Sequence, residues 1–251
     1  GQEDDYREDV VGIEGRRLKQ KKAKNQWKPI GTDNIVEPKD GYDVYSTIDI
    51  NIQDIAHHAL VKQLEKYKAD HGTVIVMETK TGEVKAIANL GSTKDGKYYE
   101  RLNYAIGESH EPGSTFKLMN LVAALEDKVV DTSSVIDTEN GAWKLYNHRI
   151  KDTKRGGYGK ISVAKAFEVS SNVAFAKMIH NGYKDDPEKY VNRLMSMGVH
   201  KKLGLPVRGE GIPVLRYPGD KGWSGLSLAQ MAYGYEVSMT PLQLLPFYNA
   251  I

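Results

Sequence analysis

A serine and a lysine stand three positions apart in the stretch EPGSTFKLMNLVAAL, residues 111–125 of this 251-residue chain. Residues at this spacing share one face of a helix, so Ser114 and Lys117 are predicted to lie side by side. A serine hydroxyl is a weak nucleophile that needs a nearby base, and a neutral lysine can be that base. The pair is therefore a candidate nucleophile with its general base.

The residues around Lys117 predict a buried helix. Apolar residues lie on nearly every side of this helix: Phe116, Leu118, Met119, Leu121, Val122 and Leu125. Such a helix is normally buried, and burial can lower the pKa of a lysine by up to about 3–5 units. The positive end of the helix dipole, beside both groups, also disfavours an ammonium and favours an alkoxide. The alternative is a capping serine followed by a lysine whose amine reaches solvent.

A second polar group follows at Ser170, Ser171 and Asn172. A hydroxyl can relay protons to a lysine or to a leaving nitrogen, and a side-chain amide can hold a substrate amide or orient the lysine. The alternative is a helix N-cap just before Val173. S-x-x-K together with this second motif is typical of penicillin-binding proteins and serine β-lactamases.

Composition narrows the remaining possibilities. A net charge of +2 indicates no nucleic-acid partner, and the absence of cysteine excludes disulfides, thiolate metal sites and a cysteine nucleophile. The seven histidines show no metal-ligand spacing, so we predict no metal and no cofactor. No apolar run is long enough to span a membrane. The basic residues between Arg16 and Lys28 indicate a solvated face rather than a membrane or polyanion contact.

Hydrophobic periodicity and turn residues predict the helices and strands that carry these motif residues. A hairpin is predicted with strands at 73–78 and 83–89, and residues 131–159 are predicted to be rich in loops. The predicted helices cover 49–72, a segment from Ser114, two pieces on either side of 170–172, 185–198, a short piece within 219–236, and 240–251.

Six stretches, in order, resemble the transpeptidase domain of class B penicillin-binding proteins, most closely the division-specific (septal) type. They are GIEG, DVYSTIDINIQ, VIVMETKTGEVKAIAN, EPGSTFK, VSSNVAF and YGYEVSMTPLQLL, between residues 12 and 245. The resemblance implies that Ser114 is acylated by a D-Ala-D-Ala stem peptide or a β-lactam. It also implies that Lys117 is the base and that Ser170 and Asn172 form the second motif.

The resemblance implies an α/β fold, a sheet sandwiched by helices with a large helical lobe. Residues 1–45 are then the end of an N-terminal pedestal region with a linker, and 46–251 the transpeptidase domain. The implied partners are peptidoglycan stem peptides, β-lactams, and division or elongation proteins. The implied location is the extracytoplasmic face of the inner membrane in the bacterial envelope, through an anchor absent from this chain.

One family motif is out of place. The family carries K-T/S-G after the S-x-N motif, on a strand that borders the cleft. Here Lys80-Thr81-Gly82 precedes Ser114 and falls in the predicted hairpin turn, where glycine suits a tight bend. No K-T-G or K-S-G follows Asn172. We therefore expect the C-terminal strands to be missing and the site to be incomplete.

Two other functions stay open beside the D,D-transpeptidase. A serine β-lactamase or β-lactam sensor would share the acylation step, but it needs a deacylating carboxylate or a receptor context. A non-catalytic fragment would keep the fold only to bind other division proteins.

Overall fold

The computed structural model describes residues 6–21, 26–29 and 35–251, in two compact units. The first unit comprises Gly1–Ile48 with Pro206–Arg208. Its described elements are a short helix and two antiparallel ribbons, β1 with β4 and β2 with β3: α1 Arg7–Val11, β1 Arg16–Arg17, β2 Lys19–Lys21, β3 Trp27–Pro29 and β4 Ile35–Val36. The basic side chains Arg16, Arg17, Lys19 and Lys21 are exposed, as predicted, whereas Lys22 and Lys24 lie outside the described residues.

The second unit, Asp49–Leu205 with Gly209–Ile251, carries the candidate site. Its helices are α2 Ile50–Tyr67, α3 Tyr104–Gly107, α4 Lys117–Glu126, α5 Val163–Glu168, α6 Asn172–Tyr183, α7 Pro187–Ser196, α8 Ser227–Met231 and α9 Pro241–Asn249. Its strands are β5 His71–Met77, β6 Val84–Ser92, β7 Tyr98–Tyr99, β8 Val135–Asp137, β9 Ala142–Leu145, β10 His148–Lys151, β11 Lys160–Ser162, β12 Val214–Leu215 and β13 Val237–Ser238.

The main sheet is antiparallel, in the order β5-β6-β7, and helices cover both of its faces. Successive side chains on a strand point to opposite faces. Ala88 and Leu90 on β6 pack against Leu60 and Leu64 of α2. On the other face, Asn89 accepts a hydrogen bond from the backbone N–H of Ala105 in α3. The predicted α/β fold with a sheet between helices is therefore confirmed.

The predicted hairpin is confirmed, and β7 extends it to three strands. The predicted end of α2 at Gly72 was wrong. The helix ends at Lys68, which adopts the left-handed conformation with φ 50°, and Gly72 lies in β5. A Cβ atom at Gly72 would lie 3.0 Å from the Leu64 side chain, so this glycine permits close packing of strand on helix rather than ending the helix.

The stretch 131–159 contains more strand than predicted. β9 and β10 form a hairpin in which Leu145 pairs with His148 across the two residues Tyr146 and Asn147. Tyr146 takes a left-handed φ of 52°. Since the usual sequence signal for such a turn is Asn-Gly or Asp-Gly, the hairpin gave no recognisable pattern.

The helical lobe is built around α4 and α6, whose buried residues share one apolar core with α7 and α8. The predicted helices around 170–172, at 185–198, within 219–236 and from 240 are confirmed, including the Thr240 cap before Pro241. The last helix ends at Asn249 rather than running through residue 251. Among the described residues, none of the helices combines the length and the apolar character that a membrane crossing requires.

Candidate active site

Ser114 lies on a 3₁₀ turn, Gly113–Phe116, and α4 begins only at Lys117. The prediction of a single helix from Ser114 was therefore wrong in its first turn. The tighter turn still places the two side chains together, because the Lys117 amine nitrogen lies 3.1 Å from Ser114 Oγ. The helix N-terminus that disfavours an ammonium is thus centred on the lysine itself.

The candidate base is buried and the candidate nucleophile is accessible. Lys117 is only 1% exposed, whereas Ser114 is exposed. The alternative of a lysine that reaches solvent is therefore wrong. The Lys117 amine also lies above the ring of the buried Phe175, 5.6 Å from its centroid. Few lysines are this buried without polar partners.

The polar partners of Lys117 are the predicted second motif. Its Nζ lies 2.7 Å from the backbone oxygen of Ser170, 3.0 Å from Ser170 Oγ and 2.7 Å from Asn172 Oδ1. The structure thus brings together all four predicted site residues, Ser114, Lys117, Ser170 and Asn172, in one hydrogen-bonded group.

The chemistry of these partners leaves a place for a proton. The backbone and amide oxygens can only accept, so the two shortest contacts use two N–H bonds of Lys117. The third valence faces two hydroxyls, those of Ser114 and Ser170. It is an N–H bond in the ammonium and a lone pair in the neutral amine, and only the neutral form can accept the Ser114 proton.

Burial shifts Lys117 toward this neutral form. Desolvation lowers the pKa of Lys117 from 10.5 to about 8, although the negative charge of Asp152 opposes the shift. About half of the lysine is therefore neutral at pH 8 and about a tenth at pH 7, and the neutral form is the one that a general base requires.

Ser170 and Asn172 reach the lysine from the junction of α5 and α6. Ser170 has a left-handed φ of 54°, which turns the chain sharply between the two helices. Ser171, between them, is the N-cap of α6 and accepts a hydrogen bond from Ala174 N. The capping alternative is therefore confirmed for Ser171, while its two neighbours face Lys117.

Asp152, which the sequence analysis missed, holds this junction in place. Its carboxylate accepts hydrogen bonds from Ser171 Oγ at 3.0 Å and from Val173 N at 3.0 Å. Beside it, the backbone oxygen of Lys151 accepts from the Asn172 side chain. Asp152 follows the β9–β10 hairpin, so only the tertiary fold brings it to the start of α6.

Two glycines allow the 3₁₀ turn that carries Ser114 to pack closely against the segment after α8. Gly113 N donates to Gly234 O, and a Cβ atom at Gly234 would lie 2.0 Å from Gly113 O. The buried Asn120 of α4 reinforces this contact by donating to the backbone oxygens of Met231 and Ala232. Hydrogen bonds from residues before and after Ser114 thus hold its turn against the segment 231–234.

Lys80-Thr81-Gly82 lies in the turn between β5 and β6, as predicted. Gly82 takes a positive φ of 74° there. Thr79, which precedes it, accepts a hydrogen bond through its backbone oxygen from Asn249. None of the contacts described above for Lys117 involves this turn.

Comparison with known proteins places this geometry in context. The family model of the penicillin binding protein transpeptidase domain matches residues 72–251. Stage V sporulation protein D of Bacillus subtilis is 29% identical over 98% of this chain and 38% of its own length. Peptidoglycan D,D-transpeptidase FtsI of Escherichia coli K12 is 30% identical over 82% of this chain and 34% of its own length. The chain therefore spans less than two fifths of these relatives.

Two solved structures are similar. A peptidoglycan glycosyltransferase from Burkholderia ambifaria gives a TM-score of 0.71 at 30% identity, covering 82% of this chain and 60% of that one. The transpeptidase domain of Burkholderia pseudomallei penicillin-binding protein 3 gives 0.69 at 30% identity, covering 84% and 59%.

Proposed function

Because the chain belongs to the penicillin-binding-protein transpeptidase family, we propose that it is the acylating part of a bacterial peptidoglycan D,D-transpeptidase. The observation that supports the proposal most directly is the buried Lys117 amine, in contact with Ser114, Ser170 and Asn172. The relatives named as D,D-transpeptidases are consistent with it.

In the proposed acylation, Ser114 Oγ attacks the carbonyl carbon between the two D-Ala residues of a stem peptide. The hydroxyl proton passes to the lone pair of Lys117 as the C–O bond forms. The amide oxygen of Asn172 and the backbone oxygen of Ser170 hold the lysine by its other N–H groups, so its lone pair stays directed at the hydroxyls.

Release of the terminal D-Ala completes acylation. The carbon–nitrogen bond breaks, and the departing nitrogen takes a proton from the Lys117 ammonium through the hydroxyl of Ser170. The Ser170 Oγ to Lys117 Nζ distance of 3.0 Å suits this relay. The amine of a second stem peptide then attacks the ester, which forms the cross-link and returns the proton to Ser114. A β-lactam follows the same first step, but its leaving nitrogen stays tethered.

We also propose that a K-T/S-G segment outside residues 1–251 completes the substrate site. In the family this motif supplies a cation for the substrate carboxylate and borders the oxyanion hole. Residues 173–251 contain no such motif, and the Lys80 turn makes none of the contacts described for Lys117.

We also propose the cellular location, the role and the partners of this activity. We infer a cell-wall enzyme of the bacterial envelope, with septal synthesis as its role and division or elongation proteins as partners. Its similarity to FtsI supports the septal role. The proposed division of the chain places the transpeptidase domain at 46–251, after the pedestal end and linker of residues 1–45.

A β-lactamase is less well supported by the site. Deacylation by water needs a carboxylate that is available as a base. The carboxylate of Asp152, which contacts the S-x-N segment, already accepts hydrogen bonds from Ser171 Oγ and Val173 N. Persistence of a penicillin adduct for hours would support the transpeptidase, and release within seconds would support a β-lactamase.

The test is covalent labelling by a fluorescent penicillin, at high concentration and long incubation, followed by peptide mass spectrometry. We expect the adduct on Ser114 and none in Ser114→Ala. Thr115→Ala is the matched control, because Thr115 carries the neighbouring exposed hydroxyl, which donates to the backbone oxygen of Pro112. An adduct on another serine would refute the assignment.

A further inference from the structure

Two histidines and a glutamate converge at the edge of the main sheet, outside the group just described. His71 Nε2 at the start of β5 lies 2.7 Å from Glu108 Oε2, and His110 Nε2 lies 3.1 Å from the same oxygen. The three candidate ligand atoms all lie within 4.8 Å of one another. Two imidazole nitrogens and one carboxylate oxygen are a donor set that proteins use to bind Zn²⁺.

Hydrogen bonding does not account for this arrangement. The Glu108 Oε2 atom is buried and, among the residues that the structure describes, has no hydrogen-bond partner of acceptable geometry. Both ring nitrogens approach it closely, yet neither directs an N–H bond at it well. A buried carboxylate oxygen without a proper donor is costly, and a cation between the three atoms would remove that cost.

The ligands are held by the fold rather than by a flexible loop alone. The His71 ring stacks on Tyr104 of α3, with centroids 4.3 Å apart and an angle of 19° between the rings. His110 is fixed by a two-way backbone bridge to Met239. Glu108 directly follows α3 and is 37% exposed, which leaves it room to adjust.

We propose that His71, Glu108 and His110 form a divalent transition-metal site that takes Zn²⁺, with water as the fourth ligand. Imidazole suits zinc, copper and nickel, and the carboxylate adds a hard oxygen and one negative charge. The absence of cysteine leaves nitrogen and oxygen ligands as the set.

The present spacing fits a metal-free site that needs only a small adjustment. Two ligands at 2.0–2.1 Å from a tetrahedral ion are separated by about 3.4 Å. The carboxylate therefore has to withdraw from His71 by roughly 0.7 Å, which a partly exposed glutamate can do by rotating its side chain.

A bound ion would link the sheet to the chain segment that precedes Ser114, the candidate nucleophile. Glu108 and His110 precede Ser114 by a few residues, while His71 belongs to β5. Metal binding would thus anchor residues 108–110, which already bridge to Met239, against the sheet. The ion would position residues 108–110 rather than take part in the reaction, since His110 lies outside the hydrogen-bonded group of Lys117.

The experiment is calorimetric titration of ZnCl₂ into chelator-treated protein of residues 1–251, with thermal unfolding at each zinc concentration. We expect one ion per chain and a melting temperature that rises with zinc. Glu108→Gln and His110→Gln should each weaken binding by at least about 100-fold, the upper range seen for losing even an outer-shell partner. Circular dichroism checks that each variant is folded.

The matched control is His57→Gln/His58→Gln, which removes two exposed histidines from α2. It should bind zinc like the parent chain. The proposal is overturned if the parent binds no zinc at about 100 µM free ion, which is far above the dissociation constants of structural zinc sites. It is also overturned if the folded Glu108→Gln and His110→Gln variants bind as tightly as the parent. This test measures zinc binding, so a negative result would not bear on the transpeptidase proposal. Failure of Ser114 labelling would likewise not bear on the proposed zinc site.

Discussion

The amine nitrogen of Lys117 lies 2.7 Å from the side-chain oxygen of Asn172, 55 residues further along the chain. This contact ties the start of α4 to the start of α6 inside the helical lobe. It also fixes one N–H bond of the lysine, which leaves the hydroxyls of Ser114 and Ser170 as the groups that can exchange a proton with it.

The first prediction concerns Lys117 as a base. Lys117→Arg should lower the rate of penicillin acylation by about 10²–10⁴-fold, the usual contribution of a general base, because arginine stays protonated in proteins. Lys165→Arg, at an exposed lysine paired with Glu168, is the control and should react like the parent. In the parent, the rate should rise with pH and level off above about 8, the pKa of Lys117. Acylation of Lys117→Arg at the parental rate would exclude this mechanism.

The same shift predicts a stability effect. The folded state lowers the pKa of Lys117 from 10.5 to about 8, so between these values the unfolded state binds more protons and stability rises with pH. The free energy of unfolding of the parent, minus that of Lys117→Met, should increase by about 3 kcal/mol from pH 8 to pH 10.5. Urea titrations at several pH values measure it, and a pH-independent difference would show that the lysine is not desolvated.

The third prediction separates the two roles of Asp152. Asp152→Ala leaves Ser171 Oγ and Val173 N without their acceptor and should cost about 1–3 kcal/mol of stability. Asp152→Asn keeps an acceptor but removes the charge that raises the pKa of Lys117. Its acylation profile should therefore shift to lower pH, measured with the same penicillin. An unshifted profile in folded Asp152→Asn would show that this charge does not act on the lysine.

These residues also show what the sequence could and could not predict. Ser114, Lys117, Ser170 and Asn172 were recognisable because each pair lies within one short sequence motif, S-x-x-K or S-x-N. Asp152 was not, because it reaches Ser171 only through the β9–β10 hairpin, whose Tyr146-Asn147 turn lacks the usual glycine signal.

The proposed metal ligands were hidden for a related reason. The prediction of no metal rested on spacing along the chain, whereas His71 is brought to Glu108 and His110 by the packing of β5 against α3. The absence of metal stays an untested prediction. The error at Gly72 has a similar cause, since strand-to-helix packing rather than local propensity explains that glycine.

The fourth prediction concerns the misplaced K-T-G. Lys80→Ala should change the acylation rate by less than about twofold, because the turn contacts α9 through the backbone of Thr79 rather than through the lysine side chain. Gly82→Ala tests the backbone conformation of the same turn. Its Cβ would meet nothing within 4 Å, but φ is 74°, so strain alone should cost about 1 kcal/mol of stability. A large loss of labelling in folded Lys80→Ala would place this lysine in the site.

The last prediction compares residues 1–251 with a version extended through a K-T/S-G segment. The third motif of the family supplies a cation for the substrate carboxylate and a backbone N–H beside the oxyanion. Loss of one oxyanion donor costs about 10²–10³ in rate in a well-studied serine protease. We therefore expect second-order acylation of residues 1–251 to be at least about 100-fold slower, with Ser114→Ala as the blank in both forms. The helical lobe should fold in either form, because α4, α6, α7 and α8 already share one buried core. Equal rates would mean that the 251 residues hold a complete site, and the proposal that a later segment completes it would have to be abandoned.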